Sequence, residues 1–541
     1  MSPEIKRPFT VDGKPFFPLG GQTRNSSGYN FGEWRTALDA LDLLHGNTLE
    51  IPVYWEQIEP EEGQFDFEHL GELILDARGR GVRLVLLWFG TWKNGNMEYV
   101  PDWVKTNPDR FRRVLSPTGR AVWVLSSHCE ATFEADRRAF AALCGYLKEH
   151  DADSRTVIAL QIENEPGILG SDRDYGQAGE QAMAAPVPPE VLAGLQANSD
   201  GPLGRIWQDA GHRPSGSWPE MFGDSAGEVM TAWSIARYID RLAEAGKGIY
   251  DIPMVLNVWL GETGWRVPGD NYPSGGAVSK VLDLYKWTTP HVDLIAPDIY
   301  ISDTEGYDAI CRTYARHDNP LFIPESAPGS SNPVRMFKAI GAFNAVGYAF
   351  FAIEHIIDGD GGVRPELRPL VDSFRSAAAA IPLLLAYQGT GRVHAVTQEA
   401  HMGIQTLDFE GYLGLVEFGS EQGLHSGKDW RHAPGRIQRA EEPRIGPGRG
   451  LVFQPARNEF YLVGANYRLH LRPRVKPSEQ LDASLTNDRL LTRLAHYVRV
   501  DEGHFDEDGA FVVDRRRNGD ETDNGVWVES DVGVVHVVLC D

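Results

Sequence analysis

The chain of 541 residues carries 76 acidic and 52 basic side chains, which give a formal net charge of −24 at pH 7. This charge repels polyphosphate and excludes a typical nucleic-acid partner, so an uncharged substrate is expected. No apolar run approaches the roughly 18 residues that span a bilayer, and no membrane partner is expected.

The sequence begins without the basic start and apolar stretch of a secretory signal, so we expect a cytoplasmic protein. The four cysteines lack metal or disulfide spacing and are expected to be reduced; they are Cys129, Cys144, Cys311 and Cys540. The sequence contains no phosphate loop, dinucleotide fingerprint or zinc motif. No cofactor and no metal are therefore implied.

Up to about residue 388, short apolar runs alternate with longer segments of helical periodicity. Strands that are buried on both faces show as continuous apolar runs, which is typical of parallel sheets. Eight such runs predict strands at residues 16–20, 47–54, 82–88, 156–163, 253–259, 292–297, 320–325 and 346–352. The predicted fold class is α/β, with a (β/α)8 TIM barrel in residues 1–388.

Two further regions are distinguished by composition. Residues 168–224, after the fourth predicted strand, are rich in Gly, Pro, Ala and Ser; they either shape the substrate pocket or form a solvated excursion. From Arg392 onward, short alternating segments separated by turn residues predict an all-β, sandwich-like accessory domain at residues 392–541. Whether this domain binds polysaccharide, mediates a homo-oligomer or caps the barrel is left open.

Two of the predicted strands run into a glutamate shortly before a Pro-Gly turn. Glu165 follows the fourth strand and Glu325 ends the seventh. Because active sites of such barrels lie at the carboxyl ends of the strands, the two side chains are expected to face each other. Retaining glycosidases need a protonated acid and an ionised nucleophile about 5–5.5 Å apart, and the nucleophile's charge raises the pKa of the acid. The pattern predicts a paired-carboxylate enzyme.

The run Gln161-Ile162-Glu163-Asn164-Glu165 resembles the Gln-[Val/Ile]-Glu-Asn-Glu signature of glycoside hydrolase family 35, the β-galactosidases. Its Asn-Glu pair is typical of the wider clan A of retaining barrel glycosidases. Residues 49–55, 59–67, 272–276, 296–300 and 319–325 are similar to further blocks of a bacterial branch of family 35. Residues 515–521 resemble a motif in the extra C-terminal β-domain of that branch.

The resemblance implies a role for four residues. Glu165 would be the general acid/base, Glu325 the nucleophile and Asn164 the amide that binds the sugar 2-hydroxyl, while Tyr300 would steady Glu325. The implied activity is that of an exo-acting β-galactosidase that retains the anomeric configuration. A β-glucosidase, another β-glycosidase or a transglycosylase with the same machinery is the alternative, and a non-catalytic carbohydrate-binding barrel is a distant one.

The third strand departs from the family pattern. Family 35 members usually end it with Cys-Ala-Glu-Trp, whose Glu grips galactose, whereas residues 87–94 read Leu-Trp-Phe-Gly-Thr-Trp-Lys-Asn. Trp88 is predicted to stack on a sugar, and Asn257 either packs in the barrel or contacts the sugar. Glu354 either reaches sugar hydroxyls or forms a salt bridge. Glu163 is expected on the same face as Glu165, paired with a buried Arg or Lys.

Overall fold

The computed structural model describes residues 5–399, 402–418, 446–474, 495–517, 519–522 and 525–540. Its N-terminal strands are β1 (Thr10–Val11), β2 (Lys14–Pro15), β3 (Gly20–Gln22), β4 (Thr48–Tyr54), β5 (Arg83–Lys93), β6 (Arg113–Leu115), β7 (Ala121–Leu125), β8 (Val157–Asn164), β9 (Met254–Trp259) and β10 (Leu294–Asp298). Six of them form one parallel sheet in the order β10-β9-β8-β5-β4-β3. Every residue of β4 and β8 is buried, as expected for strands covered on both faces.

The sheet closes on itself through two further extended segments. Parallel bridges join Ile299 to Ser326 and Ile323 to Tyr348, and two more join Tyr348 to Leu19 and Phe351 to Gln22. These segments occupy the positions of the seventh and eighth predicted strands. The predicted TIM barrel is therefore confirmed, although its last two strands are held by isolated bridges rather than by continuous ladders.

Helices surround the barrel and fill the predicted insertion. They are α1 (Phe31–Leu44), α2 (Trp55–Ile58), α3 (Glu68–Gly79), α4 (Asp102–Lys105), α5 (Glu130–His150), α6 (Gln177–Ala184), α7 (Pro189–Ala197), α8 (Pro202–Asp209), α9 (Trp218–Phe222), α10 (Ala226–Ile249), α11 (Leu282–Thr288), α12 (Thr304–Tyr314), α13 (Asn332–Ala342), α14 (Arg368–Ala379) and α15 (Ile381–Tyr387). Residues 168–224 contain α6 to α9, which bury Leu203 and Trp218. The insertion is thus a packed helical layer and not a solvated excursion.

The C-terminal part is built of antiparallel sheets, as predicted. Its strands are β11 (Val393–Thr397), β12 (Ile404–Phe409), β13 (Tyr412–Phe418), β14 (Arg449–Ala456), β15 (Glu459–Ala465), β16 (Tyr467–Pro473), β17 (His496–Phe505), β18 (Phe511–Arg516), β19 (Val526–Val528) and β20 (Val534–Cys540). They form a six-stranded sheet, β11-β14-β15-β20-β17-β18, and a four-stranded sheet, β12-β13-β16-β19. A separate apolar core that includes Val416, Phe460 and Leu469 belongs to this part of the chain.

The six-stranded sheet packs on the barrel helices. Leu451 and Phe453 of β14 join the core cluster of the barrel. Beside them, the fully buried Arg449 donates hydrogen bonds to Ser373 Oγ (2.6 Å) and to the carbonyl oxygens of Pro369 (2.9 Å) and Pro447 (2.7 Å). The division into domains at residues 388–392 stays a prediction, but the two parts share apolar and polar contacts.

Among the described residues, no single helix has the length and apolar character needed to cross a bilayer. One bent pair, Pro365–Ala379 with Ile381–Tyr387, meets the length and composition criteria only when the two helices are taken together across a 56° bend.

Replacing Arg449 by alanine should lower the free energy of unfolding by about 2–3 kcal/mol, because it removes hydrogen bonds made by a buried cation. Urea denaturation of the full chain measures the change. Arg472→Ala on the exposed part of β16 is the matched control and should leave stability nearly unchanged. Equal stability of the two variants would show that Arg449 does not anchor the sheet to the barrel.

Candidate active site

Glu165 and Glu325 meet at the mouth of the barrel. Glu165 directly follows β8, and Glu325 lies between the two bridges of the seventh extended segment. Each side chain is only 6% exposed, and both line a cavity of about 770 Å³. One carboxylate oxygen from each of Glu165, Glu325 and Asp298 lies within 4.8 Å of the others. The cavity therefore brings together the two predicted carboxylates and a third that was not predicted.

Glu165 is held by its backbone as well as by its side chain. The residue has a left-handed φ of 46°, and Glu163, two positions earlier, has a φ of 61°. Such angles are uncommon outside glycine and persist where surrounding contacts enforce them. One of these contacts is the Glu165 N–H, which donates to Asn257 Oδ1 at 2.7 Å. The strand end is thereby turned so that Glu165 enters the cavity.

Asn164 lies in a network of buried amides beside the acid. Its Oδ1 accepts hydrogen bonds from Gln161 Nε2 (3.1 Å) and Asn257 Nδ2 (3.3 Å), and its Nδ2 donates to Asn94 Oδ1 (3.3 Å). Asn257 also donates to Asp298 Oδ2 at 2.8 Å. Asn257 thus links Asn164, Asp298 and the backbone of Glu165. The contact of Asn164 with a sugar 2-hydroxyl stays a prediction.

Glu325 receives one hydrogen bond on each carboxylate oxygen. Tyr300 Oη donates to Oε2 at 2.8 Å, and Gln22 Nε2 donates to Oε1 at 2.9 Å. Both donors point at the carboxylate and fix its orientation. The structure thus places Tyr300 against Glu325. Gln22 was missed because the predicted first strand stopped at residue 20, two positions before it.

Asp298 is a cavity carboxylate that the sequence analysis did not predict. It ends β10, is 3% exposed and lines the cavity with both glutamates. Among the described residues, its Oδ1 is buried without a hydrogen-bond partner. The carboxyl group of Asp298 also interacts with that of Glu165. A carboxylate at a strand end was the signal used for Glu325, and the same signal at Asp298 would have found it.

The electrostatics separate the roles of the carboxyl groups. Burial and then the charge of Glu325 raise the pKa of Glu165 to about 7, while the Lys93 ammonium and the hydrogen bond with Asp298 oppose this rise. Burial and the charges of Glu325 and Glu165 raise the pKa of Asp298 well above its usual range. Glu165 and Asp298 therefore hold a proton between them near neutral pH.

The predicted sugar contact of Trp88 is wrong. Trp88 is fully buried, and its Nε1 donates to Asp136 Oδ1 on α5 at 2.9 Å. Strand alternation turns this side chain toward the helices and away from the cavity. Trp259 lines the cavity instead, at the end of β9.

Glu163 also departs from its predicted position. Its Oε2 accepts a hydrogen bond from the Trp92 N–H at 2.7 Å, and its carboxyl interacts with Asp136 rather than with a cation. Burial and the charge of Asp136 raise the pKa of Glu163 well above its usual range. The left-handed residues at 163 and 165 break the strand alternation, so Glu163 points to α5 while Glu165 points into the cavity.

Glu354 has partners of its own near the eighth extended segment. Its carboxylate accepts hydrogen bonds from the Ser27 hydroxyl and the Arg24 N–H, and the Arg24 side chain lies 3.9 Å away. Of its two predicted roles, these contacts match the salt bridge. Glu354 is not among the residues that line the cavity.

The wall of the cavity offers polar atoms without partners. Within the described parts of the chain, no group donates a hydrogen bond to the buried acceptors Asn25 Oδ1 and Glu262 Oε2, and both residues line the cavity. Buried polar atoms are normally satisfied, so such acceptors indicate a ligand with several donors. Sugar hydroxyls have this property. None of the described residues in the helical insertion lines the cavity, which is shaped instead by the loops after β9 and β10.

Comparison with known families gives two matches. A model of glycoside hydrolase family 42, described as "Beta-galactosidase", matches residues 29–185. A model described as "Domain of unknown function (DUF5597)" matches residues 370–529. The first match includes Glu165 and supports a β-galactosidase-like glycoside hydrolase; the assignment to family 35 in particular is not supported.

Individual relatives are similar over the same N-terminal part. A β-galactosidase of Xanthomonas manihotis is 29% identical over 185 residues, which are 32% of this chain and 28% of that protein. The human β-galactosidase-1-like protein 3 is 29% identical over 177 residues, which are 31% of this chain and 24% of that protein. The aligned region thus spans about a quarter of the length of these relatives.

A solved structure of a β-galactosidase from Bacillus circulans sp. alkalophilus is similar to 70% of this chain and 60% of its own, with a TM-score of 0.48 and 16% identity.

The raised pKa of Glu165 predicts a pH dependence. If Glu165 donates a proton in the first step, kcat/KM should fall as the pH rises through about 7, because the acid form is lost. Initial rates on nitrophenyl β-galactoside between about pH 5 and 9 measure this limb. As a control for unfolding, samples are held at the highest pH and then assayed at the lowest pH. A rate that stays constant across this range would contradict the role of Glu165.

Proposed function

We propose that the protein is a retaining, exo-acting β-glycosidase, most consistent with a β-galactosidase, which removes terminal β-galactosyl groups by double displacement. The observation that carries the proposal is the pairing at the barrel mouth of Glu165, whose pKa is raised to about 7, with Glu325, whose two oxygens accept hydrogen bonds. One oxygen of Glu165 lies within 4.8 Å of one oxygen of Glu325, which places the two groups close enough for the double-displacement mechanism.

In the first step, Glu325 attacks the anomeric carbon and Glu165 gives its proton to the departing glycosidic oxygen. The products of this step are the free aglycone and a sugar ester of Glu325. Tyr300 and Gln22, which hold the Glu325 carboxylate, fix the direction of attack. The charge of Glu325 disappears when the ester forms, and with it one cause of the raised pKa of Glu165.

In the second step, the deprotonated Glu165 takes a proton from water, which attacks the ester and releases the sugar in its original β configuration. Its neighbour Asp298 shares the proton of Glu165 in the free enzyme and stays within hydrogen-bond reach. The same two-step scheme serves a transglycosylase, in which a second sugar replaces water. Because the end of the third strand departs from the family pattern, both the preferred sugar and the acceptor, water or a second sugar, are to be found by experiment.

The non-catalytic alternative is disfavoured by the geometry. A carbohydrate-binding barrel has no need of two buried carboxylates whose oxygens lie within 4.8 Å, since burying like charges is costly. Family 35 membership is not needed for the proposal either, because the proposed chemistry depends on the glutamate pair and not on the family.

The substrate is tested by initial rates on nitrophenyl β-galactoside, β-glucoside, β-mannoside, β-fucoside and α-arabinoside. We expect the galactoside to lead, with Glu325→Gln as a matched blank that keeps the side-chain volume and removes the nucleophile. A higher initial rate on another glycoside would favour one of the alternative β-glycosidases. No turnover of any glycoside or oligosaccharide above the blank would refute a hydrolase.

The retaining mechanism is tested by Glu325→Ala. This variant should lose turnover and regain part of it with azide, because azide fits the space left by the carboxylate and attacks the same face of the sugar. The expected product is the α-glycosyl azide, which NMR distinguishes from the β form. A β-glycosyl azide would be evidence against Glu325 as the nucleophile.

A further inference from the structure

Lys93 is the one cation among the described residues that line the cavity. The same wall carries the acidic residues Glu165, Glu262, Asp298, Asp303 and Glu325. Lys93 is 6% exposed, so its ammonium is almost entirely enclosed by protein and cavity. Lysine is rarely buried unless its charge is paired, so this position calls for a partner.

Within the part of the chain that the structure describes, the Lys93 ammonium makes no hydrogen bond or ion pair. It lies over the Phe89 ring, 4.9 Å from the centroid, and a ring face leaves its N–H donors free. Glu165 and Asp298 are near enough for Lys93 to oppose the rise of their pKa values, yet neither carboxylate is paired with it. Its donors therefore remain available to a molecule in the cavity.

The backbone holds Lys93 in a fixed place. Lys93 and Asn96 exchange backbone hydrogen bonds of 2.8 and 3.0 Å around Asn94 and Gly95, whose φ values of 52° and 68° form a tight left-handed turn. A side chain at Gly95 would approach Pro273 and Leu169 to within 2.9 and 3.0 Å, so only glycine fits there. The turn positions the lysine without using its side chain.

The same turn is tied to the acid/base residue. The Asn94 N–H donates to the Asn164 carbonyl at 3.0 Å, and the Gly95 N–H donates to the Glu165 carbonyl at 3.1 Å. The backbones on either side of Lys93 and Glu165 are therefore joined, and the lysine side chain starts from a fixed place beside Glu165. A ligand group that contacts Lys93 must belong to a sugar bound next to Glu165.

We infer that Lys93 is a specificity-determining residue that donates a hydrogen bond to a hydroxyl oxygen of the sugar whose bond is cleaved. This inference rests on the proposed function, since it concerns the same cavity. The sugar is uncharged, because five acidic side chains on the same wall would repel an anionic one.

Equilibrium binding of free sugars tests the inference without relying on turnover. The sugars are D-galactose and its 2-deoxy, 3-deoxy, 4-deoxy and 6-deoxy derivatives, titrated calorimetrically into the wild-type chain and into Lys93→Met. Methionine keeps a side chain of similar length over Phe89 and removes the charge. Lys93→Arg is the matched variant that keeps a cation.

We expect Lys93→Met to weaken galactose binding by about 10- to 100-fold, as is typical for a lost hydrogen bond to a charged group. The loss should vanish for one deoxy sugar, the one without the hydroxyl that Lys93 contacts, as in a double-mutant cycle. Lys93→Arg should recover part of the affinity. Thermal unfolding shows whether Lys93→Met is folded. If Lys93→Met is not folded, the affinities of Lys93→Arg for the same sugars are compared with those of the wild-type chain.

Three outcomes would overturn the inference. One is an equal loss for every sugar, which would mean that Lys93 acts only through the charge of the site. Another is no loss for any sugar, or no binding at all. The third is tighter binding of D-galacturonate than of galactose, abolished by Lys93→Met, which would make the partner an anion.

Failure of the proposed function looks different. In that case Lys93→Met would show the expected binding pattern, but neither the wild-type chain nor Lys93→Arg would cleave any glycoside faster than Glu325→Gln does. Conversely, suppose that the wild-type chain cleaves glycosides but Lys93→Met loses the same affinity for every sugar. The proposed hydrolase would then stand, and Lys93 would have no part in sugar recognition.

Discussion

The repulsion among three buried carboxyl groups is the constraint on which the rest of the site depends. Glu165, Asp298 and Glu325 present oxygens within 4.8 Å of one another at the barrel mouth. At an effective dielectric constant near 20, two unit charges about 4 Å apart repel by about 4 kcal/mol, so all three cannot ionise together at low cost. The cluster keeps a proton between Glu165 and Asp298, and hydrogen-bond donors hold the charge of Glu325. The proposed acid and the proposed nucleophile thus both depend on the same charge repulsion.

Maintaining this balance requires a rigid backbone at the ends of β5 and β8. Left-handed residues cost about 1–3 kcal/mol each unless neighbours enforce them, and Glu163 and Glu165 both have positive φ values. The enforcement comes from the turn at Asn94, whose N–H donates to the Asn164 carbonyl, and from the Glu163 carboxyl, which accepts the Trp92 N–H. Behind them, Asp136 interacts with Glu163 and accepts from the Thr91 hydroxyl at 2.7 Å. The strained backbone at Glu165 is thus held in place by buried polar contacts on the side of the strand that faces the helices.

Much of this architecture could be predicted because burial leaves a direct trace in sequence. Strands covered on both faces need continuous apolar runs, so the barrel was visible, and a carboxylate that ends such a run has little structural reason to be there, which located Glu165 and Glu325. Gln22 and Asp298 were missed for related reasons. The first strand has little apolar character beyond residue 20. Asp298 follows a proline in the block of residues 296–300, for which the family resemblance implied a role only for Tyr300. Only proximity in the folded chain assigns Gln22 to the site, whereas Asp298 carries the same strand-end signal as Glu325.

The third strand shows where a sequence pattern reaches its limit. In a strand that is polar on one face, the alternation of residue types identifies the inner face, but β5 is apolar on both faces through Phe89. Leu87 and Phe89 belong to the cluster inside the barrel, so Trp88 between them must point to the helices. The pairing of β5 with β8 then shifts between Trp88 and Lys93, and this irregularity resets which side chains face inward. Trp88, which was predicted to stack on a sugar, therefore packs between the strand and the helices. Lys93, which no sequence pattern indicated, lines the cavity near Glu165.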